Sequence, residues 1–208
     1  MKKIITLTLA LTLFFSGFAQ QYNLGKVSFA TDSVWIISGN GITQIWSDAV
    51  QTDSCRNKTL YNTVNYNVDC CSNPNQKGDL FSWEAINQFG DKLCPAPWRV
   101  PTTQDFIDLD IALGGTGKYQ GQGNSIHRDK YLNTWGGSYG GYCDHDGYIV
   151  LQGKFATYWS QSQSKSGSTQ AYRLYFDVYG TTSPQSDGRK YYGKPLRCIR
   201  CNIEQISE

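Results

Sequence analysis

Methionine is almost missing from this 208-residue chain, which has one Met and two His. With His127 and His145 alone, metal sites and charge-relay catalysis that need clustered imidazoles have little to draw on. Long apolar runs are also scarce. Ile4 to Phe15 is apolar apart from Thr6, Thr8 and Thr12, shorter than the roughly 20 residues a spanning helix needs, and no second run reaches that length. An excess of one charge is lacking too: 19 Lys+Arg stand against 17 Asp+Glu, with no basic stripe. Nucleic-acid binding requires clustered cations for the phosphate backbone, so that class is set aside.

Lys2 and Lys3 before the apolar run, and Gly17-Phe18-Ala19 after it, have the layout of a secretory signal peptide cleaved after Ala19. No cysteine follows that would carry a lipid. Loss of Lys2 and Lys3 leaves 17 charges of each sign (19 less 2, against 17). The expected product is secreted, to the periplasm, the outer surface or the medium, with no integral membrane span.

What is abundant points to strands and loops: 21 Gly, 14 Tyr and 6 Trp. Aromatic residues favour pleated, half-buried surfaces, and Tyr, Ser, Gly and Asn supply adaptable contacts. The seven cysteines are 55, 70, 71, 94, 143, 198 and 201. In an exported chain they are expected to form disulfides, and the odd number leaves one over. The preferred pairs are Cys55 with Cys70 or Cys71, closing a polar Asn-rich loop, and Cys94 with Cys198, tying the loop before the main helix to the last strand. Cys198-Ile-Arg-Cys201 has C-x-x-C spacing, but it lacks a second pair or nearby His for zinc and does not open a helix as a redox motif does.

Along the chain, residues 23–50 read as short strands around a Gly39-Asn40-Gly41 turn, and 51–79 as a long disulfide-held loop. Leu80 to Phe89 is expected to be a helix capped by Asp79 and ended by Gly90. Cys94 to Pro101 is extended by its prolines. Thr102-x-x-Asp105 opens the best helix, with Phe106, Leu109 and Leu113 on one face, ended by Gly114-Gly115. Residues 114–146 read as a long Gly-rich loop without helix. Four strand-like runs close the chain: Tyr148–Lys154, Thr157–Gln161, Ala171–Tyr179 and Pro195–Cys201. Alternation in the third puts Tyr172, Leu174 and Phe176 on one face, and Arg173, Tyr175 and Asp177 on the other.

Four segments then resemble one family. Gly78-Asp-Leu-Phe-Ser-Trp-Glu-Ala85 is similar to its G-x-L-[FY]-[ST]-W-x-A segment, and Cys94-Pro-Ala-Pro-Trp-Arg-Val-Pro-Thr102 to its C-P-x-G-W-[RH]-[LV]-P-[ST] segment. Tyr158-Trp-Ser-Gln-Ser162 resembles Y-W-S-S-S, and Leu196-Arg-Cys-Ile-Arg200 resembles the closing V-R-C-[VI]-R. Together they resemble the Fibrobacter succinogenes major paralogous domain of secreted and surface proteins of Bacteroidetes-type bacteria, over residues 34 to 201. The resemblance implies an α+β, C-type-lectin-like fold: two helices packed on short antiparallel sheets with long loops. It divides the chain into signal peptide (1–19), N-terminal extension (20–33), C-type-lectin-like domain (34–203) and C-terminal tail (204–208). Tyr158 to Arg200 also resembles the variable region of proteins diversified by retroelements, whose exposed positions change while the framework stays fixed.

The same fold is shared with formylglycine-generating enzymes, which use a C-x4-C pair on copper. No such spacing occurs here, and Cys198 matches a structural cysteine instead. Glu84, Asp105 and Asp108 could form part of a carboxylate pair, but Asp105 and Asp108 suit the positive end of their helix. Asp144-His-Asp146-Gly147 lacks the further ligands of a calcium loop. The expectation is a non-catalytic module without cofactor or metal, binding an extracellular glycan or protein. The alternatives are an enzyme related to the formylglycine-generating oxidases and an adhesive structural subunit. Trp83, Trp98, Phe106, Trp159, Leu174, Phe176 and Ile199 are assigned to the core. The ligand-binding candidates are Gln163, Lys165, Arg173, Tyr175, Asp177, Tyr179, Arg189 and Tyr191.

Overall fold

The computed structural model describes residues 24–53, 70–71, 73, 77–165, 167 and 169–200. The first half of the chain contributes β1 (Val27–Phe29), β2 (Trp35–Gly39), β3 (Ile42–Thr52), β4 (Cys70–Cys71), β5 (Leu80–Phe81), α1 (Trp83–Leu93), β6 (Trp98–Arg99) and α2 (Thr103–Ala112). The second half contributes α3 (Ser125–Asn133), β7 (Tyr142–Cys143), β8 (Ile149–Val150), β9 (Phe155–Gln163), β10 (Gln170–Asp177), β11 (Thr182–Arg189), β12 (Lys194–Pro195) and β13 (Arg197–Arg200). The class is α+β, and every strand pair is antiparallel.

The long strand β3 organises the first sheet. It pairs with β1 and β2, and with β13, which in turn pairs with β6. Asn40 and Gly41 both have positive φ (53° and 77°), as a two-residue hairpin turn between β2 and β3 requires. β1 lies within the segment set apart above as an extension, yet it is hydrogen-bonded to β3 from Val27↔Thr52 to Phe29↔Val50. The other sheets are β11-β10-β9, β12-β5-β4 and β7-β8.

Helix α2 forms as its cap dictates. The Thr102 side chain accepts from the Asp105 backbone N–H, and the Asp105 carboxylate accepts from Thr102 N at 2.6 Å. Arg99 clamps the same carboxylate with two bonds of 2.7 Å. Phe106, Leu109 and Leu113 are buried on one face. Phe106 stacks on Trp46 at 5.4 Å, and Trp135 meets both edge-on. This second core lies between α2, α3 and the inner face of β9 and β10, where Tyr158, Leu174 and Phe176 point. The first core packs α1 against Val50, Trp159, Leu196 and Cys198. Of the residues assigned to the core, all are buried except Trp98, which is half-buried against it.

The segment Gly78–Ala85 shows why its residue types recur as a unit. A Cβ on Gly78 would lie 2.4 Å from Ala49 Cβ, and its φ is +82°. Asp79 accepts from Thr52 N at 2.7 Å, Ser82 caps α1, and Trp83 Nε1 donates to Ser160 O at 2.9 Å. Trp159 Nε1 returns a bond to Phe81 O at 2.9 Å, so the two motifs are stitched together.

Several expectations are corrected. The first helix starts three residues later than read, because Leu80 and Phe81 pair with β12 as a strand and Asp79 holds β3 instead of a cap. It runs past Gly90 to Leu93, bending at Phe89 (φ −119°, ψ 19°). Residues 114–146 contain α3, capped by Asn124 and buried through His127 and Tyr131. Tyr148–Lys154 shrinks to β8. β11 was not read as a strand, because TSPQSDGR has no apolar residue to alternate.

Cys94 and Cys198 form a disulfide with Cα atoms 5.6 Å apart, spanning 104 residues, as expected. This takes Cys198 out of any C-x-x-C chemistry. Cys143 is also disulfide-bonded. Cys55 and Cys201 lie outside the described residues, as do the side chains of Cys70 and Cys71.

Candidate binding pocket

The sheet of β9, β10 and β11 has two unlike faces. Leu174 lies opposite Tyr158 and Phe176 opposite Ala156, facing the core. On the other face Arg173 lies opposite Trp159, Tyr175 opposite Thr157 and Asp177 opposite Phe155. β12 and the β7–β8 hairpin approach this second face. They are joined by the reciprocal backbone bonds of Cys143 and Gly193, 2.8 and 2.9 Å. Between them remains a cavity of about 260 Å3, lined by Tyr142, Phe155, Arg173, Asp187, Tyr192 and Lys194, with Arg189 and Gln170 at its edge.

Lys194 is the unusual member. It is 1% exposed, and its Nζ has no hydrogen-bond partner among the described residues. The ammonium is instead surrounded by aromatic faces: 3.8 Å from the Trp159 ring centroid, 5.0 Å from Tyr192 and 5.7 Å from Tyr142. Cation–π contact compensates part of a buried cation's lost hydration. Burial, and then the neighbouring Arg173, push the Lys194 pKa well below the usual lysine range. Gly188 leaves the space in which both stems run: a Cβ there would lie 3.0 Å from Arg173 Cδ and 3.1 Å from Lys194 Cε.

Arg173 is fixed in place. Its Nε donates to Asp187 O at 2.8 Å and its Nη1 to Thr157 Oγ1 at 3.2 Å, and its guanidinium stands 5.2 Å from the Tyr175 ring. Burial lowers its pKa as well. Asp187 is the single carboxylate among the described residues of the lining, and it accepts from Ser164 Oγ at 2.6 Å. Arg189 donates to the Tyr191 hydroxyl and lies over that ring. Tyr142, Tyr191 and Tyr192 form a cluster with centroids 4.9 to 5.2 Å apart. Burial, with the adjoining tyrosines, raises the pKa of Tyr192. The lining thus sets three cationic side chains against one acid, beside a wall of tyrosine.

The residues singled out from sequence fall into three places. Arg173 and Arg189 line the cavity, and Tyr191 adjoins it. Gln163 and Lys165 are exposed at the β9–β10 hairpin, away from the lining. Tyr175, Asp177 and Tyr179 stand at the opposite, β10–β11 end. There Asp177 is only 3% exposed, because its carboxylate accepts from Tyr175 Oη (2.6 Å), Tyr179 N (2.9 Å) and Thr181 N (3.0 Å) and closes the turn. Tyr179 is exposed. The disulfide residues Cys94 and Cys198 lie in the core beneath.

Sequence reasoning missed Tyr142, Asp187, Tyr192 and Lys194. The usable signal is Tyr191-Tyr-Gly-Lys194, where a lysine follows two tyrosines and directly precedes the closing strand-like run Pro195–Cys201. The remaining candidate chemistries are used structurally. Asp144 Oδ1 accepts from the backbone of Asp146 and Tyr148 within its own turn. His127 lies on α3, bonded to Asp110 at 2.6 Å. Among the described residues no group of three or more His, Cys, Asp and Glu is placed to hold a metal, and no helix is long and apolar enough to cross a membrane.

Fold and pocket together define a disulfide-bonded α+β domain whose framework is tied by tryptophan and cysteine contacts and whose last sheet carries an open cleft. The sequence model of the Fibrobacter succinogenes major domain matches residues 23–200, and the chain belongs to that family. The match begins before β1 and takes in residues 23–33 of the segment 20–33 set apart above as an extension. No curated protein and no solved structure gives a significant match.

Proposed function

We propose that this chain is a secreted, non-catalytic binding module with a C-type-lectin-like arrangement, recognising an extracellular glycan or protein through its C-terminal strands and loops. The observation that carries this reading is the cleft over β10, β11 and β12. It is lined by tyrosine and arginine, which give large contact area and directional bonds at low entropic cost. Among the described residues of the lining, Asp187 has no second carboxylate with which to share acid and base roles. The Cys94–Cys198 bridge supports an oxidising location, in keeping with a signal peptide over residues 1–19. The test is a glycan array together with a pull-down from extracellular material, using the oxidised protein. A retained ligand that is lost in Tyr192→Ala is the expected result. No ligand of either kind at millimolar concentration refutes the reading.

A further inference from the structure

We infer that the cleft is an acidic-sugar subsite: it takes one monosaccharide unit bearing a carboxylate, such as a uronic acid, with Lys194 and Arg173 beneath the carboxylate and Tyr142 and Tyr192 against the ring. This rests on the reading of the chain as a binding module and names the chemistry of its ligand.

Charge leads to this assignment first. Lys194, Arg173 and Arg189 surround the cavity with a single opposing carboxylate, Asp187. Lys194 Nζ is enclosed without a hydrogen-bond acceptor among the described residues. A buried ammonium with no counter-ion is costly in a folded domain, and a bound anion removes that cost. Leu151, Phe155 and the tyrosine rings of the lining lower the effective dielectric and strengthen attraction to an anion.

Size and shape then narrow the anion. A cavity of about 260 Å3 lies below the roughly 300–1,000 Å3 of sites for drug-sized ligands, so it admits one small unit rather than a long segment. A bare inorganic anion would leave the tyrosine wall without a partner. Tyr142 and Tyr192, tilted 32° to each other at 5.2 Å, present ring faces and hydroxyls to whatever enters. A sugar offers C–H faces to the rings and hydroxyls to Asp187, Gln170 and Arg189 at the edge. Because Nζ lies beneath the rings of Tyr142 and Tyr192, a small displacement of half-buried Tyr192 brings the carboxylate to it.

The experiment titrates the oxidised full chain with galacturonic and glucuronic acid, their methyl esters, the neutral parent hexoses and acetate. It uses calorimetry and the fluorescence of Trp159, whose ring faces Lys194 at 3.8 Å. The free uronates are expected to bind at least about tenfold more tightly than their esters and parent hexoses, the scale of one charge-assisted contact. Lys194→Met, which keeps the stem and removes the charge, should erase that difference, and Tyr192→Ala should weaken every sugar. As the pH rises towards the ordinary lysine range, uronate binding by the unmodified protein should take up protons, read as a dependence of the enthalpy on buffer. The facing groups are Arg173, Asp187, Arg189 and the three tyrosines, and of the cations Lys194 has the most depressed pKa. Equal binding of ester and acid, or uronate binding unchanged in Lys194→Met, overturns the inference. Acetate binding as tightly as the uronates overturns the sugar assignment. Neutral glycans or proteins retained without any preference for uronates overturn it too, but leave the binding module standing. No ligand of any class removes both.

Discussion

Replacing Asp110 tests whether the Gly-rich half of the chain is held from one buried carboxylate. Asp110 is fully buried at the end of α2. It accepts from His127 Nε2 at 2.6 Å, Tyr131 Oη at 2.8 Å, Gly117 N at 2.7 Å and Gln120 Nε2 at 3.2 Å. These donors belong to α3 and to the loop that leads into it. Tyr131 and His127 are themselves 0% and 5% exposed, so in Asp110→Ala water does not readily replace the lost acceptor. Each stranded buried donor costs about 1–3 kcal/mol. Three of them, discounted for shared relaxation, give a loss of roughly 3–6 kcal/mol, a large part of the 5–15 kcal/mol typical of a whole domain. Asp110→Asn keeps the shape but sets an amide N–H2 against the two donors that share one oxygen, either His127 Nε2 with Tyr131 Oη or Gly117 N with Gln120 Nε2; two donors stay satisfied, so it should lose less, about 1–3 kcal/mol. Urea unfolding followed by tryptophan fluorescence measures both, since Trp135 contacts Tyr131 edge-on. A loss under about 1 kcal/mol for Asp110→Ala would show that the loop and α3 are held by something else.

Lys194→Met should raise the melting temperature at pH 7. The folded state depresses the Lys194 pKa, so the unfolded chain binds more protons below about pH 10.4, and wild-type stability should climb towards that pH; the variant should lack the climb. Thr102→Ala should cost about 1 kcal/mol by loss of the α2 cap, read by denaturant midpoint. Burial pushes the Asp105 carboxyl up, but the Arg99 and Thr102 hydrogen bonds outweigh it and hold it below the ordinary range. Its stabilisation should therefore be complete above about pH 4 and fade as pH falls further, a fade absent from Asp105→Asn in acid unfolding. Replacing Cys94 and Cys198 by alanine should remove about 4.7 kcal/mol, the chain-entropy value for a loop of about 100 residues, with unfolding measured under nonreducing conditions.

What could be read from sequence divides along the rules that sequence obeys. Helix α2 was legible because Thr102 and Asp105 sit at cap spacing and Phe106, Leu109 and Leu113 at helical spacing, all local signals. β10 was legible through its alternation. Helix α3 was not: its buried face is His127 and Tyr131, two polar-tipped residues whose burial depends on Asp110, 17 and 21 positions away. β11 escaped for a similar reason. Thr182 and Ser183 are buried, yet nothing in their own chemistry announces it; their environment comes from β10 and from the loop, where Gln185 Nε2 donates to Gly117 O at 2.8 Å.

The cleft follows the same division. Arg173 is singled out because a strand displays alternate side chains, Arg189 as a polar residue of the loop that ends at Tyr192, and both line the cavity. Lys194 was passed over because an isolated lysine reads as a surface residue, and its burial becomes visible only once β12 lies across Trp159. The closing strand repeats the pattern with Arg197, also 1% exposed. Its guanidinium lies 4.2 Å from the Trp135 ring, with Nε bonded to Ser47 O at 2.7 Å, and burial brings its pKa down to about 10. The two cations differ in their partners. Arg197 donates to Ser47 O and Trp135 O and so ties β3 to the loop after α3, a structural task. Lys194 has no acceptor among the described residues and borders an open cavity. Of two buried cations three residues apart, Arg197 makes two backbone bonds, although its Nη2 has no partner among the described residues, and supports the framework; Lys194 Nζ makes none among the described residues and borders the cleft where the proposed ligand belongs.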